Sequence, residues 1–132
     1  PLSAPFYQAG KALVATCAVA GARQLFLDDG HELLAVSGCN GHVDLRKLLL
    51  ELAARGANEV LVEAGPRLAG AFARQGLVDE YQLFVAAKFL GSSARPLLEW
   101  PLAKMAEAQE LQIVEMRAVG ADWRIIARPA RA

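Results

Sequence analysis

The stretch Val60-Leu61-Val62-Glu63-Ala64-Gly65-Pro66-Arg67-Leu68-Ala69-Gly70-Ala71-Phe72 decides how this chain is read. Three branched apolar residues in a row predict a buried parallel strand. An acid, Glu63, stands at its carboxyl end. Gly65 then allows close approach to the backbone. Pro66 suits the first position of a helix, where no N–H is needed. A helix that opens just past a strand end aims free N–H groups and a positive dipole end at whatever lies there, which favours an anion such as a phosphate. Glu63 beside it is placed to accept hydrogen bonds from a neutral or cationic group. A solvated strand-end acid is the plain alternative.

Outward from that stretch, the pattern alternates. Leu13-Val14-Ala15-Thr16 reads as a strand, 22–29 as a short helix stopped by Gly30, and Leu33-Leu34-Ala35-Val36 as the next strand. Ser37 to Gly41 is a turn-rich loop. Asp44 is a candidate N-cap for a helix whose Leu45, Leu48, Leu49 and Leu52 share one face, with Gly56 ending it. A helix over 66–75 stops at Gly76, and an apolar strand runs from Tyr81 to Leu90. Ser92 to Trp100 reads as a loop, and Pro101 to Ala108 as a short helical or irregular bridge. Leu111 to Met116 and Trp123 to Ala127 form a hairpin across Gly120-Ala121-Asp122. The expected class is α/β: a mainly parallel sheet with helices on both faces and an antiparallel C-terminal hairpin.

Composition narrows the function. The chain has 132 residues, a formal net charge of zero and 55% hydrophobic residues, which fits a single domain spanning 1–132 with a sizeable core. No basic cluster suggests nucleic acid. No apolar run approaches the about 18 residues that suggest a membrane span. Pro1 to Pro5 does not have the form of a signal peptide. With no initiator Met, the start reads as a segment of a longer protein. Cys17 and Cys39 lack metal or redox spacing and read as reduced thiols in a cytoplasmic protein. His31 and His42 flank turns, have no partner at metal spacing, and read as surface residues.

Three pieces taken together, Glu63-Ala64-Gly65-Pro66, Leu77-Val78-Asp79-Glu80 and Lys88-Phe89-Leu90-Gly91, resemble the reductase domain of the bifunctional riboflavin-biosynthesis deaminase/reductase family. The resemblance covers most of the chain and is densest from Asp44 onward. It implies a dihydrofolate-reductase-like fold and the C-terminal portion of that domain. It also implies NADPH-dependent reduction of 5-amino-6-(5-phosphoribosylamino)uracil to its ribitylamino form. By the same resemblance Glu63 contacts the pyrimidine substrate. Gly65, Pro66, Arg67, Leu68, Ala69, Gly70 and Ala71 wrap the cofactor phosphates, although the segment is neither a nucleoside-triphosphate loop nor a GxGxxG. A homodimer and an N-terminal zinc deaminase domain in the parent chain are further implications, and this segment carries no metal site of its own.

Other residues have plainer readings. Arg67 opposes the helix dipole slightly, which suits either a phosphate partner or solvent. Lys88 is read as snorkelling to water. Ala87 stands where the family usually has proline. Asp79-Glu80 reads as a loop end rather than a catalytic pair. No general acid can be named from this segment. The alternatives are another pteridine or pyrimidine reductase of this fold, or a non-catalytic dimerisation domain.

Overall fold

In a computed structural model, residues 4–17 and 23–130 are described. The expected helix start at Ala22 and the first three residues lie outside them. The chain divides into two compact units, with the division between Val60 and Leu61.

The first unit is built on one parallel strand pair. A short helix, α1 (Pro5–Gln8), precedes β1 (Leu13–Thr16). Helix α2 (Arg23–Asp28) carries the chain over to β2 (Glu32–Ala35). Leu13 lies opposite Glu32 and Thr16 opposite Ala35. A crossover of this kind is what parallel pairing requires. After β2 the chain reverses at Asn40-Gly41. Asn40 has φ 57° and ψ 32°, Gly41 has φ 72°, and His42 donates its N–H to the Cys39 carbonyl at 3.2 Å. This is the Asn-Gly turn that suits tight antiparallel reversals, and Ser37 bridges Val43 across it. Helix α3 (Leu45–Ala54) starts where the sequence predicts: Asp44 accepts the Lys47 N–H at 3.0 Å. Its Leu45 is buried, and Leu48, Leu49 and Leu52 are half-buried, while Leu50, off that stripe, is exposed.

His31 is not the surface residue the sequence suggests. It is 5% exposed. Helix α2 ends in a Schellman closure: Gly30 donates to the Leu27 carbonyl and His31 to the Phe26 carbonyl, both at 3.0 Å. That closure turns the imidazole inward. Nδ1 accepts the Ala12 N–H at 3.1 Å, and the ring packs against Tyr7 and Phe26 with centroids 5.2 and 6.3 Å away. A histidine beside a turn gives no sequence signal of which way it faces. His42 is exposed, as expected.

The second unit joins helix α4 (Pro66–Arg74) to a three-stranded antiparallel sheet. Its strands are β3 (Tyr81–Ala86), β4 (Leu111–Val119) and β5 (Asp122–Pro129), in the order β3-β5-β4. Phe72 and Ala73 of α4 and Ala127 of β5 are buried. The β4–β5 hairpin turns across Gly120-Ala121, with Val119 paired to Asp122. Ile113 faces Ala127 but Glu115 faces Ile126, so Val114 is an extra residue bulged out of the ladder. At the other end of the sheet, the Arg128 Nε and an Arg128 terminal nitrogen donate to one Glu80 oxygen at 3.1 and 3.0 Å. Glu80 therefore ties the start of β3 to the end of β5.

Three expectations about strands need correction. Val60-Leu61-Val62 belongs to no ladder, and Leu61 is 77% exposed. A branched apolar run becomes a buried strand only when neighbours pair its edges and cover its faces, and among the described residues none does. Among the described residues, parallel pairing is confined to β1 and β2. The strand at Tyr81 instead joins the antiparallel set, with Leu83 opposite Ile125. After β3 the chain has Pro96, Pro101 and only a single helical turn (Met105–Glu107) before β4, so no crossover helix is available to bring a parallel neighbour back. Finally, β3 stops at Ala86, short of Leu90. The Lys88 N–H turns back to the Ala86 carbonyl at 2.8 Å, a γ-type turn common at strand ends, and 87–90 run exposed.

Candidate functional site

The candidate site is the N-terminal end of α4, in the second unit. Gly65 is the N-cap, with φ −68° and ψ 167°, and Pro66 is the first helical residue. The first intrahelical bond is Ala69 N–H to the Gly65 carbonyl, at 3.1 Å. The N–H groups of Arg67 and Leu68 come before it and Pro66 has none, so two donors point out of the helix end. Glycine at the N-cap offers no side chain to satisfy them. At the other end, Gly76 (φ 61°) donates to the Ala73 carbonyl and closes the helix, with Arg74 in the last turn matching the dipole.

The two glycines of this segment do different things. A Cβ built on Gly65 would meet nothing within 4 Å, and its φ is ordinary for any residue. The fold does not demand glycine there, and what its lack of a side chain provides is open space in front of the helix end. Gly70 is the reverse. It is buried, and a Cβ would stand 2.5 Å from the Glu99 carbonyl oxygen. Glycine lets the backbone of 98–100 lie directly on the helix.

Glu99 is the residue that sequence reasoning missed. Its N–H donates to the Pro66 carbonyl at 2.9 Å. One of its carboxylate oxygens accepts from Arg67 Nε at 3.0 Å. The partners are 32 residues apart, so no local pattern links them. The one available hint is an acid interrupting the apolar run Leu97-Leu98-Glu99-Trp100. Arg67 itself is 90% exposed. Of the remaining segment, Leu68 is exposed and Ala69 and Ala71 are half-buried. Glu63 is exposed on the unpaired stretch ahead of the helix, with no hydrogen bond or ion pair among the described residues.

The segment that brings Glu99 to α4 also forms a wall elsewhere. Leu97, Leu98 and Trp100 line an apolar hollow of about 230 Å³ with Tyr81, Leu83 and Leu111. The Tyr81 hydroxyl donates to the Gln109 side-chain oxygen at 3.0 Å, and burial raises its pKa above the ordinary tyrosine range. Cys17 and Cys39 are both free thiols, and the Cys17 thiol donates to the Gly41 carbonyl at 2.7 Å. Among the described residues no group of three His, Cys, Asp or Glu could hold a metal ion, and no helix is long and apolar enough to cross a membrane.

Comparison with known proteins agrees with the α/β architecture. The sequence model of the RibD C-terminal domain family matches residues 8–125. The chain is 47% identical over 83 residues to the riboflavin biosynthesis protein RibD of Escherichia coli K12. That match takes in 62% of this chain and 23% of the relative. It is 29% identical over 93 residues to the 5-amino-6-(5-phosphoribosylamino)uracil reductase of Buchnera aphidicola (subspecies Acyrthosiphon pisum), covering 70% of this chain and 45% of that protein. The structure of Acinetobacter baumannii RibD superposes with a TM-score of 0.84 at 27% identity, over 98% of this chain and 34% of that one. The chain thus spans less than half the length of each of these relatives, and it belongs to the RibD C-terminal domain family.

Proposed function

We propose that this chain is the C-terminal part of a reductase domain. That domain reduces 5-amino-6-(5-phosphoribosylamino)uracil to the ribitylamino form with NADPH, in riboflavin biosynthesis. Family membership and the activity named for the Buchnera relative support the reaction class. The observation that carries the site reading is the uncapped end of α4, with two outward N–H donors behind an unobstructed Gly65. That geometry fits a phosphate: short, charge-assisted bonds from backbone N–H, and no side chain in the way.

In this reading the segment from Gly65 to Ala71 holds the cofactor. Arg67 and Leu68 donate their N–H groups to a phosphate, Gly65 and Pro66 shape the approach, and Ala69, Gly70 and Ala71 continue the helix behind them with small residues. Gly70 contributes indirectly, by seating 98–100. Glu63 accepts hydrogen bonds from the pyrimidine. The bound nicotinamide supplies the hydride, which no side chain can. The two compact units are then parts of one domain. In the parent a zinc deaminase domain precedes it, and the protein is a cytoplasmic homodimer.

Two measurements test this. In the full-length protein Gly65→Val places a branched side chain in front of the donors and costs at least one charge-assisted hydrogen bond. The dissociation constant for NADPH, read by fluorescence titration, is expected to rise about tenfold or more. Gly65→Ala, whose methyl meets nothing, serves as a control for the fold. Unchanged NADPH affinity in a folded Gly65→Val protein would overturn the site. The dimer follows from apolar side chains left exposed on the sheet, among them Val85, Ile113, Met116 and Trp123. Sedimentation is expected to show dimers at tens of micromolar, and a monomer there would refute it.

A further inference from the structure

The contacts of Glu99 with α4 form a single fastening. Its N–H binds the Pro66 carbonyl, its own carbonyl lies over Gly70, and its carboxylate meets Arg67. The two backbone contacts fix where the side chain begins. The carboxylate is therefore delivered to the first turn of α4 by the fold, rather than finding it by diffusion of a long side chain. Half of the Glu99 side chain remains exposed and Arg67 is almost wholly so.

Such placement looks wrong for the stability of the helix itself. An arginine in the first turn opposes the dipole, and an exposed ion pair contributes little. It makes sense as a control of charge. The first turn of α4 contains no acid of its own. Glu99, arriving from a distant segment, is what offsets the one cation there.

We propose that Glu99 is a positioning residue that tunes cofactor affinity by holding the Arg67 guanidinium in an ion pair beside the first turn of α4. The proposal rests on the reading that this turn receives a phosphate of NADPH. A phosphate arriving there competes with the Glu99 carboxylate for Arg67 and feels its repulsion. Affinity is held below what the helix end and a free arginine would give together.

The test uses the full-length protein, with NADPH binding measured across a salt series for Glu99→Gln, Arg67→Ala, the double variant and Gly65→Val. The amide of Glu99→Gln is isosteric and keeps both backbone contacts, so the fold of 98–100 is retained. Glu99→Gln is expected to bind NADPH about two- to fivefold more tightly at low salt. Its affinity should also fall more steeply as salt rises, because the uncompensated charge is screened. In the Arg67→Ala background most of that gain should vanish. A purely structural role for Glu99 would not change the salt slope. Equal or weaker binding by Glu99→Gln overturns the proposal, as does a gain that persists undiminished without Arg67. If Gly65→Val weakens binding while Glu99→Gln does nothing, the role of Glu99 alone is wrong. If Gly65→Val also has no effect, the cofactor reading and the role of Glu99 fall together.

Discussion

A polypeptide of these 132 residues, assayed alone with NADPH and the pyrimidine substrate, is expected to turn over at least about a hundredfold more slowly than the full-length protein. Hydride transfer requires two reactants held in register, and well-oriented systems gain ~7–11 kcal/mol from such placement. In the proposed reading one reactant has a defined seat within this chain, the end of α4. The other has only Glu63, on a stretch with no ladder partner among the described residues. A carboxylate on an unpaired stretch is not held to the fraction of an ångström that catalysis needs. Losing half of the orientation term would slow the step by roughly two to four powers of ten. The comparison is NADPH oxidation followed by absorbance, with circular dichroism to confirm that the polypeptide is folded. A rate within tenfold of the full-length protein would show that the site described above is already sufficient.

Gly70→Val is expected to cost up to about 3 kcal/mol of stability, far more than Gly65→Ala. Both positions belong to the same conspicuous run, yet only one has a neighbour. The Cβ at 70 would overlap the Glu99 carbonyl, which is backbone and cannot rotate away. The segment 98–100 would have to lift, breaking the Glu99 to Pro66 hydrogen bond and opening the wall of the apolar hollow. Glycine within a helix ordinarily costs roughly 0.5–1 kcal/mol against alanine, so a helix that keeps it at a buried position does so for close contact. Urea unfolding of the two variants makes the measurement. A Gly70→Val midpoint matching that of Gly65→Ala would mean that the contact with 98–100 contributes nothing to the folded state.

What could be read in advance was local. Asp44 capping α3, the leucine spacing along that helix and the stop at Gly76 all involve residues within a few positions of each other, where spacing carries the information. The Gly65-Pro66 helix start was legible for the same reason. Val60-Leu61-Val62 was misread because the pattern reports a preference for pairing, and pairing also needs a partner. The neighbour of Tyr81–Ala86 was missed because antiparallel or parallel is decided by how the chain returns, long after the strand has ended. His31 and Glu99 share a further difficulty. Their roles come from backbone geometry that side-chain spacing does not report, a helix closure in one case and a glycine 29 positions earlier in the other (Gly70 to Glu99), and neither leaves a periodic trace.

The bulge at Val114 bears on how the strand carrying it can change. A single insertion in a β-strand normally turns every later side chain to the opposite side of the sheet. In β4 the odd residue is set outside the ladder instead. Ile113 and Met116 therefore face Ala127 and Ile125, two residues on the same side of β5, although three positions separate them in sequence. Position 114 is a slack point: β4 can differ in length by one residue there while the hairpin beyond it keeps its inside and outside.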